Sequence, residues 1–375
     1  MKLKILIILL FFNVGTTFCT DYSKIDKQSV TVPQNLRTAN DITRYLTRNL
    51  TSPTEKVRAI YFWIAHNITY DVAKMNSSEQ YTDPQQLVDK VLKNRKGVCS
   101  HYAALFNACC HSAGITSYII EGYTRQNGRV VGLAHAWNAV KIDNRFYEID
   151  ATWAAGFLNG SSYTHQFRDN FFLISPVEFI KSHMPFDPIW QFLNNPITHT
   201  GFDDGDFSAL KKGSDYNYSD SIDLQSGLNL LDKFVRENER ILKSGLSNGM
   251  IRNKYVQNQQ HIGTGKYNAA TDDFNKGVEK YNEYVQLKNT QFNHLSIKDE
   301  AIMELLSTAR QLIESAEETL SILNSGDYGL YRSIGSLRES IRALKRNLDK
   351  EDLFVGKYVR TVKPLRMVLF YSRNK

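Results

Sequence analysis

Three residues of this chain could carry out covalent chemistry together: a thiol at Cys99, an imidazole at His135 and a carboxylate at Asp150. A cysteine attacks as its thiolate, a histidine takes and returns the proton, and a carboxylate orients the histidine and steadies its charge. A free thiol titrates near about 8.5, so at neutral pH it is only partly ionised. Two features here favour the thiolate. The pattern starts a helix at or just after Cys99, where the partial positive charge of the helix end attracts an anion. His135, if adjacent, would pair with that thiolate as an imidazolium.

The flanking elements must bring these residues together. Ser52-Pro53-Thr54-Glu55 reads as a capping box with proline at the first helical position. A helix with the apolar stripe Val57, Ile60, Tyr61 and Ile64 should follow. Asp83-Pro84 opens a second helix running toward Lys93, and the helix from Cys99 stops at Gly114 with Ala103, Phe106 and Cys110 on one face. Strands Ser117–Thr124 and Arg129–Leu133 then flank Gln126-Asn127-Gly128, a hairpin signal, and His135–Ile142 and Arg145–Asp150 flank Asp143-Asn144. A two-residue turn at Asp143-Asn144 sets Ile142 opposite Arg145, and therefore Trp137 opposite Asp150. His135 then shares a sheet face with Asp150 as a diagonal neighbour, about 7–8 Å away at the backbone. A one-residue slip in register would send the two to opposite faces. Asp143 is the competing carboxylate, but it sits in the turn.

Other reactive types have plainer roles. Cys109 and Cys110 read as packing residues, since a disulfide between neighbours is strained. His101 is two residues from Cys99, a spacing that does not share a helix face, and His111 reads as a surface histidine. Trp63 is either core or a lid that helps bind an oxyanion, and an amphipathic helix favours core. Trp137 and Trp153 serve as packing or as walls of a substrate groove. The backbone N–H of Cys99 is one oxyanion donor.

The pattern resembles the transglutaminase-like cysteine enzymes, which have a papain-like core. The residues that carry the resemblance are Lys96-Gly97-Val98-Cys99-Ser100-His101-Tyr102-Ala103, Gly114-Ile115, Glu121-Gly122-Tyr123, His135-Ala136-Trp137-Asn138 and Tyr147-Glu148-Ile149-Asp150-Ala151-Thr152-Trp153. Upstream, Ala59-Ile60 through Trp63-Ile64 to Asn67-Ile68-Thr69-Tyr70-Asp71 looks like the helix preceding the nucleophile. Downstream, His183-Met184-Pro185 and Asp187-Pro188-Ile189-Trp190-Gln191 look like the closing segment of the kyphoscoliosis-peptidase-like branch. The resemblance spans residues 40–195, a little over two fifths of the chain. It implies Cys99 as nucleophile, His135 as base and Asp150 as its orienter, acting on amide bonds through a thioester. It implies neither metal nor cofactor, and the acidic calcium-site clusters of animal transglutaminases are not visible.

Composition frames the rest. Lys2 and Lys4 precede the apolar run Ile5–Phe12, which is too short to span a bilayer at about 20 residues but fits a secretory leader. Cleavage near Cys19 would start the chain around Thr20 or Asp21. A lipid anchor at Cys19 is the alternative, although Phe18 is bulky for such a site. The expected location is therefore secreted, periplasmic or otherwise extracytoplasmic, with no membrane span in the mature chain. Sites for N-glycosylation at Asn49, Asn67, Asn76, Asn159 and Asn217 matter only in a eukaryotic secretory route. Of four cysteines one lies in the leader, and the three left are too few and too odd in number for a disulfide framework.

The remaining ~355 residues predict about two domains. The expected division is a leader at 1–20, a catalytic α+β domain at 35–197, a linker at 198–221, a helical bundle or coiled-coil domain at 222–352 and a basic tail at 353–375. The first helical stripe is Leu228, Leu231, Val235 and Leu242, and the second is Tyr267, Ala270, Phe274, Val278, Tyr281 and Val285. A capping box at Ser296-Ile297-Lys298-Asp299 opens a third with Ile302, Leu305, Ala309, Leu312, Ala316, Leu320 and Leu323. Leu330, Ile334, Leu337, Ile341, Leu344 and Leu348 step by four and three, as in a coiled-coil seam. Pro364 leaves Leu353–Tyr371 open between strand and docking helix. Net charge is +7, and residues 329–375 hold twelve Lys/Arg against four Asp/Glu, which reads as a solvated face. No nucleic-acid partner is implied. The expectation is an exported cysteine peptidase or amidase with a protein or peptide substrate. A crosslinking acyl transferase, and a non-catalytic scaffold that oligomerises through its helices, are the alternatives.

Overall fold

The computed structural model describes residues 21–75, 83–160, 162–211, 218–292, 296–323 and 328–371. The expected leader at 1–20 and the last four residues of the tail lie outside them. Among the described residues no helix is long and apolar enough to cross a membrane. The chain divides into two compact units, Met1–Ile197 with Gly201–Tyr216, and Thr198–Thr200 with Asn217–Lys375.

The first unit starts with helices α1 (Ser23–Ser29), α2 (Ala39–Thr47) and α3 (Pro53–Asn67). Pro53 stands in the first turn of α3, but the Ser52 side chain makes no capping bond, so the expected box does not form. The buried Arg58 of α3 ties α1 down by a bidentate pair with Asp26 and also binds Asp169. Strand β1 (Thr69–Tyr70) pairs in parallel with β2 (Lys96–Gly97), and α4 (Pro84–Asn94) runs between them. Asp83 caps α4 by accepting from Gln85 N. Next comes α5 (Cys99–Ser112), followed at Gly114 by a left-handed residue with φ 74°.

Helix α5 is buried on more than the one face its spacing suggests. Besides Ala103, Phe106 and Cys110, it buries Tyr102, Ala104, Leu105 and Cys109. A helix apolar on most sides belongs in the middle of a core. It packs with α2, α3 and α4 and against a four-stranded antiparallel sheet ordered β5-β4-β3-β8. These strands are β3 (Ser117–Gln126), β4 (Arg129–Ile142), β5 (Arg145–Ile149) and β8 (His183–Pro185). Short helix α6 (Ala151–Ala155), hairpin β6/β7 (Gly156–Asn159, Ser162–His165) and α7 (Pro176–Phe179) fill the connection from β5 to β8. Asn138 of β4 donates to the Ala103 carbonyl of α5 at 3.1 Å, which locks helix to sheet.

Two strand expectations change. Arg129–Leu133 and His135–Ile142 are one strand, β4, and Gln126 belongs to β3, so the first hairpin turns on Asn127 and Gly128 alone, at φ 50° and 76°. Two positive φ values give the primed turn whose twist suits a hairpin. The extra length of β4 is absorbed in a bulge: Tyr123 faces Ala134 while Arg125 faces Val130. Thr124 thus stands against Val131–Leu133, with Ala134 between this bulge and His135. Between β4 and β5 the register is Ile142↔Arg145 through Asn138↔Ile149, as the two-residue turn requires.

The second unit is helical. The stretch 198–221, expected as a linker and divided between the two units, carries the helix His199–Asp204, a helical turn at Ser208–Lys211 and the start of Tyr218–Gly227. Helices Leu230–Ser244, Gly249–Asn289, Asp299–Ser321 and Tyr328–Arg360 follow. In the first of these Ile241 is buried and Leu242 is 51% exposed, because buried Asn238, bonded to Asn258 at 3.0 Å, sets which face turns inward. The third starts at Asp299 after an uncapped Lys298, so the box at Ser296 is not used. Its core line is Ile302, Leu306, Ala309, Ile313, Ala316 and Leu320, with Leu305 and Leu312 at the flank. Ile334, Leu337, Ile341, Leu344 and Leu348 are buried in the same cluster of this chain. Tyr328–Arg360 continues through residue 352, and a short helix Val368–Tyr371 follows. Phe370 there packs on Phe292, Phe354 and Tyr358, which makes this segment a docking helix.

Gly122 of β3 is the tightest point of the sheet. A Cβ there would lie 2.1 Å from the Met184 carbonyl oxygen of β8 and 2.6 Å from the Trp137 ring. Overpacking of this kind costs about 1–3 kcal/mol or more. Gly122→Ala should lower the urea midpoint accordingly, and an unchanged midpoint would mean that β8 is free to shift.

Candidate active site

Cys99 is the first residue of α5, and its approach is fixed by the two-stranded β1/β2 pair. Thr69 N donates to Arg95 O and Asp71 N to Gly97 O, at 3.0 and 2.9 Å. Tyr102, one turn on, donates to the Ile68 carbonyl at 2.6 Å. The thiol is partly exposed, whereas Cys109 and Cys110 are sealed in the core. Burial pushes the Cys109 thiol up to about 11 and the Cys110 thiol well above its ordinary range. Of the three thiols among the described residues, these two are therefore inert, as packing residues should be.

His135 lies on β4 just past the bulge, and Asp150 just past the end of β5. Their side chains meet: His135 Nε2 donates to Asp150 Oδ2 at 2.7 Å. With Nε2 so engaged, Nδ1 is the nitrogen left for Cys99, whose thiol adds to the ring's hold on its proton. Burial favours the neutral ring, but the Asp150 carboxylate and then Cys99 outweigh it and raise His135 to about 10. Asp150 has no exposed side-chain surface. Burial alone would protonate it; His135 first and His183 second hold it well below the ordinary carboxylate range. Its other oxygen, Oδ1, caps α6 by accepting from Thr152 N at 2.8 Å and Trp153 N at 3.0 Å.

Two neighbours had no role assigned from sequence. His183 on edge strand β8 donates Nε2 to Asp150 Oδ2 at 3.2 Å, so one carboxylate oxygen serves two imidazoles. It was visible only as part of His183-Met184-Pro185, because nothing in spacing ties residue 183 to residue 150. Tyr70 of β1 pairs with Gly97, two residues ahead of Cys99. Burial, and then the charges of Cys99 and Asp150, keep its phenol protonated far above the ordinary range. A neutral hydroxyl thus stands near the thiol.

The remaining candidates fall elsewhere. Trp63 is in the core with the Arg95 guanidinium 5.0 Å over its ring. His101 is buried, with Nδ1 3.4 Å from Val98 N, and exposed His111 bonds Ser117 O at 3.0 Å. Trp137 is buried and donates to Glu148 at 3.0 Å, and burial pushes that carboxyl well above its ordinary range. Trp153 covers the histidines, 5.7 Å from His135 and 4.5 Å from His183 between ring centres. His135, Asp150 and His183 present ligand atoms within 4.8 Å of one another, a donor set that zinc accepts. Both nitrogens lie within hydrogen-bond distance of the one oxygen, Asp150 Oδ2.

The family model described as "Transglutaminase-like superfamily" matches residues 40–151, the span from α2 to the start of α6. This domain belongs to the transglutaminase-like superfamily. The transglutaminase-like domain is similar to kyphoscoliosis peptidase of Mus musculus, at 32% identity over 207 residues, covering 52% of this chain and 30% of that protein. Hillarin of Drosophila melanogaster is 26% identical over 206 residues, covering 49% of this chain and 24% of that one. The chain thus spans about a third or less of these curated relatives. A solved structure titled as a TGase shares 19% identity at a TM-score of 0.25, covering 42% of this chain and 38% of that one.

The histidine–carboxylate pair should leave a signature in stability. Folded His135 keeps its proton to about 10, while an unfolded histidine loses it near 6.5. Between those values the unfolded chain binds fewer protons, so stability falls as pH rises. His135→Gln should flatten that fall. Urea midpoints at pH 6, 8 and 9.5 would test this, and parallel slopes in both proteins would refute it.

Proposed function

We propose that the transglutaminase-like domain is a cysteine hydrolase of peptide or protein amide groups, with Cys99 as nucleophile, His135 as base and acid, and Asp150 as the orienter of His135. The observation that carries this reading is the pairing of His135 Nε2 with Asp150, which leaves Nδ1 to the thiol at the start of α5. In the proposed reaction the Cys99 sulfur attacks the amide carbon, and the carbonyl oxygen takes the negative charge. The Cys99 backbone N–H at the end of α5 is suited to receive that oxyanion. His135, holding the proton of the thiol, gives it to the leaving nitrogen as the C–N bond breaks. A thioester remains on Cys99. Water, deprotonated by His135, attacks it and releases the acid, and the thiol regains its proton. An amine in place of water would give transfer rather than hydrolysis.

Iodoacetamide labelling of the native protein, mapped by mass spectrometry, tests the reading. Cys99 should label at least about tenfold faster than the buried Cys109 and Cys110, since reactivity follows access and thiolate character. His135→Ala should slow Cys99 by about tenfold or more and leave the other two unchanged. Equal labelling in both proteins would mean that the thiol and imidazole do not work together. Incubation of dimethylcasein with and without a dansylated amine then separates the outcomes: new peptide fragments, or ammonia released in the absence of the amine, support hydrolysis, and label bound to casein supports transfer.

A further inference from the structure

His183 is a buried histidine that the proposed reaction does not use. Its side chain has no exposed surface, and it sits in an aromatic box: Phe179 of α7 stacks on it at 4.0 Å, with Trp153 at 4.5 Å and Trp137 at 5.3 Å. Its two nitrogens have different partners. Nε2 faces Asp150 Oδ2 at 3.2 Å and Nδ1 faces the Ser182 hydroxyl at 2.8 Å. An ionised carboxylate only accepts, so the proton of a neutral ring lies on Nε2, and Nδ1 accepts from Ser182. The ring is neutral: burial, opposed by Asp150 and helped by the like charge of His135, brings it down to about 4.

This places a neutral donor on the same oxygen that receives His135. The position of Asp150 does not depend on it, because Oδ1 is held by two backbone N–H groups of α6. What His183 changes is the charge available at Oδ2. A hydrogen bond donated to a carboxylate spreads its negative charge and makes it a weaker partner for a second donor. We infer that His183 sets the basicity of His135 through the carboxylate oxygen they share. The inference rests on the reading of His135 as the base, and it gives that reading a physical reason for a second histidine. An imidazolium held too tightly by Asp150 would be a poor acid for a leaving amine, since proton transfer works best when the donor's pKa is near the working pH. His183 draws His135 down from that limit. It acts only through Asp150 and is not itself a catalytic residue. The titrating groups around it are Asp150 and His135, with Cys99 beyond His135 and Glu148, raised by burial, on Trp137; Phe171, Trp153 and Phe179 from the other elements carry no charge.

The test is the titration of His135 itself, followed by NMR of ring-labelled histidine in the full chain. Cys99→Ala serves as the background, so that the thiol does not titrate with it. Adding His183→Leu should raise the His135 midpoint by about half to one unit, roughly a three- to tenfold change in acid dissociation. Adding His183→Gln, whose amide N–H can stand in for Nε2–H, should return it to within about 0.2 units. His183→Asn, too short to bring its amide to the Nε2 position, should behave like the leucine variant and covers the case in which leucine does not fold. An unmoved midpoint in the leucine and asparagine variants would overturn the inference. So would a lowered one, which would mean that His183 positions Asp150, and so would equal shifts in the glutamine and leucine variants. About one equivalent of bound metal in the purified wild type, lost with His183→Leu, would also overturn it. The iodoacetamide experiment fails or succeeds without reference to His183, so the two ideas can fall separately.

Discussion

A carboxylate sealed from water is tolerated only when its lone pairs find donors, and the site is organised around meeting that demand at Asp150. Two backbone N–H groups of α6 take one oxygen and two imidazoles take the other. The four donors come from three parts of the chain: the start of α6, strand β4 and strand β8. Much of the architecture is therefore tied to one side chain. The four-stranded sheet carries His135 on β4 and His183 on β8 to the same oxygen of Asp150, and the short helix α6 starts where the carboxylate can cap it. If Asp150 were protonated, one of its oxygens would become a donor, and its four donors would be left with too few acceptors.

The sequence is most legible where one local rule decides the geometry. Asp143-Asn144 forces a two-residue primed turn, and from it the register of β4 on β5 follows by counting, which is enough to set His135 beside Asp150. Asn127-Gly128 works the same way at the other hairpin. The bulge at Thr124 was not legible, because it depends on how far β4 must run to reach β3, and Arg129–Leu133 and His135–Ile142 were read as separate strands instead. His183 was visible in a motif but not as a partner of Asp150. Contacts between an edge strand and a residue 33 positions earlier are set by tertiary packing, which no periodicity reports.

The helical unit teaches the same lesson from another side. The stripes were found, yet the third is centred one residue further on, at Leu306 and Ile313 rather than Leu305 and Leu312. A helix flanked by two neighbours turns its deepest line between them, and a stripe read on one helix does not know where the second neighbour is. Leu242 was misjudged for a related reason. The buried Asn238–Asn258 bond fixes the rotation of its helix, and a polar residue is the last place one looks for a core position.

Strand β8 has a consequence for the order in which the chain is made. Residues 40–151 include α5, β3, β4 and β5, so the nucleophile, base and carboxylate of the proposed reaction all leave the ribosome before the chain reaches His183. Until then the outer edge of β3 has unpaired N–H and C=O groups around Gly122, with the Trp137 ring beside them. An open edge next to exposed aromatic surface invites pairing with another chain. The last strand to be made is also the one that closes this edge, so a nascent or truncated domain would be sticky before it was complete.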